Sequence, residues 1–234
     1  MTADQLHKKL QNLADAGIAM HSQRFFKTGK GEYGEGDRFL GIRVPILRQQ
    51  AKHFQEMPLK EVTNALKSIY HEERLCALLL LVRKFERENE RERERIYKLY
   101  LNQTRYINNW DLVDSSAHHI VGGYLFERDR EPLYRLVASS SLWERRIAII
   151  ATFHFIKKDQ FQDTVKLSKL LLTDRHDLIH KAVGWMLREV GNRDRKSEEM
   201  FLNRYYKKMP RTMLRYAIEK FPEPLRKSYL NGKI

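Results

Sequence analysis

The chain has 234 residues, and its 44 lysines and arginines exceed its 30 aspartates and glutamates to give a formal net charge of +14. A charge excess of this size predicts attraction to a polyanion, of which nucleic acid is the most common. The sequence contains neither an apolar run near the ~18 residues of a membrane-spanning helix nor a signal peptide, so we expect a soluble, cytoplasmic protein in which the single cysteine, Cys76, is a buried thiol.

Apolar residues recur with helical spacing along nearly the whole chain. Leu6, Leu10, Leu13 and Ala14 stand at i, i+4, i+7 and i+8, the stripe of an amphipathic helix. Similar stripes run through PILRQQAKHF, PLKEVTNALKSIY, EERLCALLLLVRKF, RERIYKLYL, SLWERRIAIIATFHFI, FQDTVKLSKLLL, HDLIHKAVGWMLREV and PRTMLRYAIEKF. Because proline lacks the N–H that a first helical turn leaves unpaired, it favours helix starts, here at Pro45, Pro58, Pro132 and Pro210. The pattern predicts about a dozen helices and no strand.

Small residues inside the apolar segments reveal a repeat. Alanine recurs at intervals of 40, 31, 34 and 35 residues, at Ala77, Ala117, Ala148, Ala182 and Ala217. Helix pairs that repeat every ~30–47 residues are typical of HEAT and armadillo solenoids. We therefore predict an all-α fold, an α-solenoid of HEAT-like antiparallel helix pairs that forms a single repeat domain over residues 1–234. A compact, irregular all-α domain is the alternative.

Charged residues stand two or three positions before these alanines. In chain order they are Arg74, Asp114, Arg145 with Arg146, His180 and Arg215. In a stacked solenoid such positions line up near one end of parallel inner helices. They therefore predict a concave basic groove that contains one carboxylate.

The segment NNWDLVDSS contains two aspartates that we interpret differently. With Asn108 as the N-cap, Asp111 occupies the N3 position of a helix and acts as a capping-box residue. Asp114 lies a turn further in, at the margin of the buried stripe, four residues after Trp110 and on the same helix face. Such a carboxylate is either a structural salt-bridge partner or an acid held for chemistry beside a cation-binding indole.

The segment HDLIHKAVGWMLREV contains two further candidates. Gly184 precedes Trp185, and because glycine lacks a side chain we expect open space beside the indole, which makes Trp185 a binding candidate. His176 and His180 stand at i and i+4, half of a zinc site. No third ligand matches them, so we expect no metal, with a zinc hydrolase as an alternative that metal analysis would test.

Five segments of the chain together resemble a known family: FLGIRVPILR (39–48), NNWDLVDSS (108–116), WERRIAII (143–150), KAVGWMLREVG (181–191) and PRTMLRYAIEKFP (210–222). The family is that of DNA alkylation repair, the HEAT-like alkylpurine DNA glycosylases of the AlkD type. Its active-site pattern is an aspartate with a tryptophan four residues earlier, an arginine one repeat later and a tryptophan one repeat after that. The resemblance implies that the catalytic residues are Asp114, Trp110, Arg146 and Trp185, and we assign DNA binding to Arg43, Arg145, Arg188 and Arg215.

The resemblance also implies an activity. It is that of a monofunctional glycosylase, without a cofactor, that hydrolyses the N-glycosidic bond of cationic N3- and N7-alkylated purines in double-stranded DNA. Asp114 would stabilise the positive charge on the sugar or position a water molecule. We expect a monomer, and no role is assigned to Phe25 or Phe26. The alternative is a non-catalytic solenoid that binds nucleic acid or a protein through the same groove, which gives no reason for Trp110, Asp114 and Trp185 to occur together.

Overall fold

The computed structural model describes residues 1–234, which divide into two compact units, Met1–Ile120 and Val121–Ile234. The first unit contains α1 (Ala3–Gln11), α2 (Ala16–Phe25), α3 (Val44–His53), α4 (Leu59–Leu66), α5 (His71–Arg87), α6 (Glu90–Asn102) and α7 (Trp110–Asp114). The second contains α8 (Gly123–Leu125), α9 (Glu131–Val137), α10 (Leu142–Ala151), α11 (Phe153–Ile156), α12 (Gln162–Leu170), α13 (Asp177–Gly191), α14 (Arg195–Tyr205), α15 (Arg211–Ala217) and α16 (Glu223–Leu230). The remaining helical structure is a set of short 3-10 turns and one π-helical segment, His118–Gly122.

The predicted all-α fold is confirmed. No strand is formed, and the one β feature is an isolated bridge between Arg38 and Tyr70. Within each unit, helices pack on their neighbours in the chain. In the first, α5 contacts α3 and α4 before it and α6 after it; in the second, α10 packs on α9 and α13, and α13 packs in turn on α14 and α15. Such packing of successive helices is solenoid-like, as the repeat predicted. The single repeat domain over the whole chain stays a prediction.

Local sequence accounts for many helix boundaries and for the core. Pro45 and Pro132 occupy the first turns of α3 and α9, while Pro58 and Pro210 are the N-caps of α4 and α15, as predicted. The thiol of Cys76 is buried, and so are the five repeat alanines, Ala77, Ala117, Ala148, Ala182 and Ala217. None of the helices combines the length and the apolar character that crossing a membrane requires.

Glu72 fixes the loop that leads into α3. Its buried carboxylate accepts hydrogen bonds from the backbone N–H groups of Leu40, Gly41 and Ile42 at 2.9, 2.8 and 3.2 Å. Gly41 has a φ of 81°, and a Cβ atom there would lie 2.0 Å from the carbonyl oxygen of Asp15. Only glycine therefore fits at this point of the loop, and the carboxylate satisfies three backbone donors that would otherwise be buried without partners.

This arrangement predicts the effect of Glu72→Gln. The amide nitrogen would face a buried N–H donor, so we expect the free energy of unfolding to fall by about 2 kcal/mol. Urea denaturation measures the change. Glu56→Gln removes a charge from an exposed side chain and is the matched control, expected to unfold at the wild-type midpoint. Identical midpoints for the two variants would contradict the role given to Glu72.

Candidate active site

Helix α7 carries both predicted catalytic residues of the first unit, but it is shorter than the sequence predicted. It has five residues, with Trp110 first and Asp114 last, and its N-cap is Asn109 rather than Asn108. The hydroxyl of Ser116 donates a hydrogen bond to the Leu112 carbonyl at 2.6 Å and contacts the Tyr100 hydroxyl at 2.9 Å. A serine that bonds back to the preceding turn competes with the helix, so α7 ends at Asp114 instead of placing it a turn inside.

The interpretation of Asp111 as a capping-box residue is wrong. Its Oδ2 accepts a hydrogen bond from Nε2 of the buried His71 at 2.7 Å, and its Oδ1 accepts from the Leu112 N–H at 2.9 Å. The carboxylate therefore connects α7 to the first residue of α5. The helix spacing of NNWDLVDSS gave no sign of this partner, because the two residues are 40 positions apart.

Two phenylalanines to which the sequence assigned no role support the indole of Trp110. The Phe26 ring stacks on it, with centroids 5.3 Å apart and planes at 24°, and the Phe25 ring meets it edge-on at 5.9 Å and 70°. The Phe25 side chain stays largely in solvent, with 57% of its area exposed. The adjacent aromatics of RFFK at the end of α2 were the available signal. Trp110 is thus packed against two phenylalanine rings while part of its own surface stays accessible.

Asp114 is partly exposed, and its charge acts on a buried neighbour. Burial raises the pKa of the Tyr100 phenol well above its usual range; the hydrogen bond with Ser116 opposes this rise and the negative charge of Asp114 adds to it. Trp110 and Asp114, at i and i+4 on one helix, therefore place an indole and a carboxylate on the same face of α7.

In the second unit, Arg146 lies near the start of α13. It is buried, on α10, and its Nη1 donates to the carbonyl oxygen of Leu178. The neighbouring Arg145 is committed to protein groups: its Nε donates to Asp174 at 2.6 Å, and its Nη1 donates to the carbonyls of Ser139 and Ser140 at 3.1 and 2.9 Å. These bonds tie α10 to the loop before α13, so Arg145 has an internal partner where a DNA contact was expected.

The prediction of open space beside Trp185 is wrong. A Cβ atom on Gly184 would lie 2.4 Å from the Met213 carbonyl oxygen and 2.5 Å from the Tyr216 Cβ. The glycine therefore permits the close approach of α13 and α15, and no ligand is needed to explain it. Trp185 itself is partly exposed, donates from its indole Nε1 to Glu189 at 3.0 Å, and lies 5.8 Å from the Phe153 ring centroid.

The remaining predicted DNA-binding arginines differ in their surroundings. Arg188 makes an ion pair with Glu219, and its side chain is 18% exposed. Arg43, the N-cap of α3, is exposed. Arg215 is exposed on α15 and lines a cavity of about 510 Å³ together with residues of α13, among them Asp177 and Lys181.

The predicted basic row is wrong for Arg74 and His180. The Arg74 guanidinium is buried and donates to Asp37 at 2.7 Å and to the Ser68 carbonyl at 3.0 Å. His180 donates from Nε2 to the Asp174 carbonyl at 2.6 Å, while His176 accepts at Nδ1 from the Leu178 N–H at 3.2 Å. The two histidines of HDLIH thus make hydrogen bonds with backbone groups at the start of α13.

Comparison with known proteins confirms the family that the five sequence segments resemble. The chain matches the sequence model of a family described as DNA alkylation repair enzyme over residues 6–221. A solved structure described as a predicted DNA alkylation repair enzyme from Enterococcus faecalis superposes with a TM-score of 0.68 at 16% identity, over 90% of this chain and 97% of that one. No curated protein matches the sequence. At this identity the structural likeness shows a shared fold.

Proposed function

This chain belongs to the DNA alkylation repair enzyme family, and from that premise we propose that it is a monofunctional DNA glycosylase. It hydrolyses the N-glycosidic bond of cationic N3- and N7-alkylated purines in double-stranded DNA, as a cytoplasmic monomer without a cofactor. The observation that carries the proposal is the pairing of Trp110 with Asp114 on one face of α7, with the indole braced by Phe26. A helix that only filled space would not need a partly exposed acid beside an indole that Phe26 supports.

The chemistry explains why a single carboxylate suffices. Alkylation at N3 or N7 gives the purine a positive charge, so its departure needs no strong general acid. Positive charge then develops on the deoxyribose as the bond breaks. A carboxylate ~4 Å away, acting through an effective dielectric constant near 20, stabilises that charge by about 4 kcal/mol. Asp114 can also orient the attacking water, as acids do in glycoside hydrolysis.

The aromatic rings supply a surface that is complementary to the cationic nucleotide. Trp110 and Trp185 present π faces to the cationic nucleotide, each worth ~0.5–2 kcal/mol. Excluding water from the site strengthens the interaction between the sugar and Asp114. We propose that Arg146, which is buried and donates to the Leu178 carbonyl, exchanges that bond for the phosphate beside the lesion.

Phosphate contacts hold the duplex. Arg43 and Arg215 are exposed, and Arg188 can exchange its ion pair with Glu219 for a phosphate. Arg145 is left out of this set because Asp174 and two carbonyl groups already engage it. With a net charge of +14, binding is expected to weaken steeply as salt rises and to show little sequence preference.

The test is release of free base from defined duplexes. We expect the wild-type protein to release 3-methyladenine and 7-methylguanine, and to leave uracil in place because a neutral base is not activated for departure. Chromatography of the released bases measures both. Efficient uracil release would contradict the mechanism, and tight DNA binding without release of any alkylated base would instead identify a non-catalytic solenoid.

A further inference from the structure

Four ionisable side chains form a buried cluster at the start of α7, here called the charge cluster: Asp37, His71, Arg74 and Asp111. The first three are at most 7% exposed, and the Asp111 side chain is 17% exposed. With His71 protonated, the two acids balance the two cations. A neutral His71 would leave the cluster with a net negative charge in a poorly solvated place, which is unfavourable.

The geometry around His71 fits the protonated ring. Its Nε2 lies 2.7 Å from Asp111 Oδ2 and its Nδ1 lies 3.4 Å from Asp37 Oδ2, so both nitrogens face carboxylates. A neutral imidazole has one N–H, whereas the imidazolium donates from both nitrogens. The charged groups facing the ring are these two acids and Arg74. Burial and the positive charge of Arg74 lower the pKa of His71. The charge and hydrogen bond of Asp111 and the hydrogen bond of Asp37 outweigh them and raise this pKa to about 9.

His71 reaches Trp110 by two routes. The first is a hydrogen bond: Asp111, which accepts from His71 Nε2, directly follows Trp110 in the first turn of α7. The second is aromatic: the His71 ring lies 5.0 Å from Phe26, and Phe26 also stacks on the indole of Trp110. Phe39 stacks on His71 at 4.6 Å.

The same cluster also holds the chain that enters α7. Asp37 Oδ2 accepts from the side-chain amide of Asn109 at 3.5 Å, and Asp37 Oδ1 accepts from that of Asn108 at 3.4 Å. A five-residue helix has too few internal hydrogen bonds to keep its own orientation. The position of α7 is therefore set by the groups that hold its first turn.

We propose that His71 is a positioning residue for base excision, whose imidazolium anchors Asp111 and thereby fixes α7 with Trp110 and Asp114. This inference rests on the proposed function for its effect on rate, and on the buried contacts of His71 for its effect on structure. His71 touches no substrate. It acts through the helix it holds.

Kinetics of matched variants test the effect on rate. His71→Gln removes the positive charge and leaves N–H donors on a single nitrogen, and Asp111→Asn removes the charge at the other end of the bond. We expect both to lower the single-turnover rate of 7-methylguanine release by about 10- to 100-fold, the effect of a small misplacement of reacting groups. Affinity for the methylated duplex should stay near wild type, because no phosphate contact is lost.

The control is His7→Gln. It removes another histidine–carboxylate contact of the first unit, 2.7 Å from His7 to Glu73, without touching α7. We expect the wild-type rate. If His71→Gln fails to fold, Asp111→Asn carries the test, because its side chain is partly exposed and the substitution preserves its size.

An activity-independent readout separates this inference from the proposed function. The indole N–H signal of Trp110, assigned by its loss in Trp110→Phe, should shift with a midpoint near pH 9 as His71 loses its proton. In His71→Gln the signal should be displaced at neutral pH and no longer titrate, with the Trp143 and Trp185 signals unmoved. A wild-type protein inactive on every alkylated duplex would refute the glycosylase but leave this measurement standing. The positioning role would be overturned if the Trp110 signal neither titrated in the wild type nor moved in His71→Gln. Wild-type rates in both folded variants would also overturn it.

Discussion

Asp114→Asn is expected to lower the rate of 7-methylguanine release by about 1,000-fold. A carboxylate ~4 Å from the developing sugar charge lowers the activation free energy by about 4 kcal/mol, and each ~1.4 kcal/mol changes the rate tenfold. The amide keeps the size of the side chain and loses only its charge. The ground-state duplex has little of the developing sugar charge, so its affinity should change by less than about threefold, equivalent to under 0.7 kcal/mol. Single-turnover release measures the rate, and titration of labelled duplex measures the affinity.

The matched control is Asp4→Asn. It makes the same change of charge at an exposed residue of α1, whose nearest ion-pair partner is Lys8 on the same helix. Any general effect of net charge on DNA binding is therefore equal in the two variants. Equal rates for Asp114→Asn and Asp4→Asn would remove Asp114 from the mechanism.

Gly184→Ala is expected to lower the free energy of unfolding by about 3 kcal/mol, the upper part of the range for overpacked sites. The added methyl group would meet the Met213 backbone carbonyl at 2.4 Å, and backbone cannot turn away as a side-chain end can. Helices α13 and α15 must then separate, and α13 carries Trp185 at the next position. Chemical denaturation measures the loss of stability.

Gly17→Ala is the control for this change. Gly17 lies in the first turn of α2 and is exposed, and an added Cβ atom would need only a small shift of the Asp15 side chain, 3.3 Å away. Alanine also favours helix over glycine by about 1 kcal/mol. We expect Gly17→Ala to be as stable as the wild type or slightly more so. Equal stability of the two alanine variants would show that α13 and α15 are not in close contact.

What could be predicted from the sequence is local. Helical periodicity and proline positions gave the all-α fold and several helix starts, because both act over a few residues. The length of α7 was missed because it depends on Ser116, which contacts Tyr100 on another helix. The partner of Asp111 was missed for the same reason: His71 is close in space and far along the chain.

The roles of Gly184 and of the arginines also depend on residues that are distant along the chain. A glycine inside a helix indicates either that another helix packs closely against it or that a ligand needs the space beside it. At Gly184 only the position of α15 shows that close helix packing is the reason. The arginines of the repeat register carry charge whether they face DNA or an acid. In the structure Arg74 makes an ion pair with Asp37 and Arg145 makes one with Asp174, whereas Arg215 is exposed.

Binding of a charged sugar analogue tests the central claim most directly. A duplex that carries a cationic pyrrolidine in place of one deoxyribose resembles the sugar at the moment of bond breakage, and a tetrahydrofuran in the same place is its neutral counterpart. We predict that the wild-type protein prefers the cationic duplex by up to about 1,000-fold and that Asp114→Asn loses most of this preference. The same preference in both proteins would contradict the account.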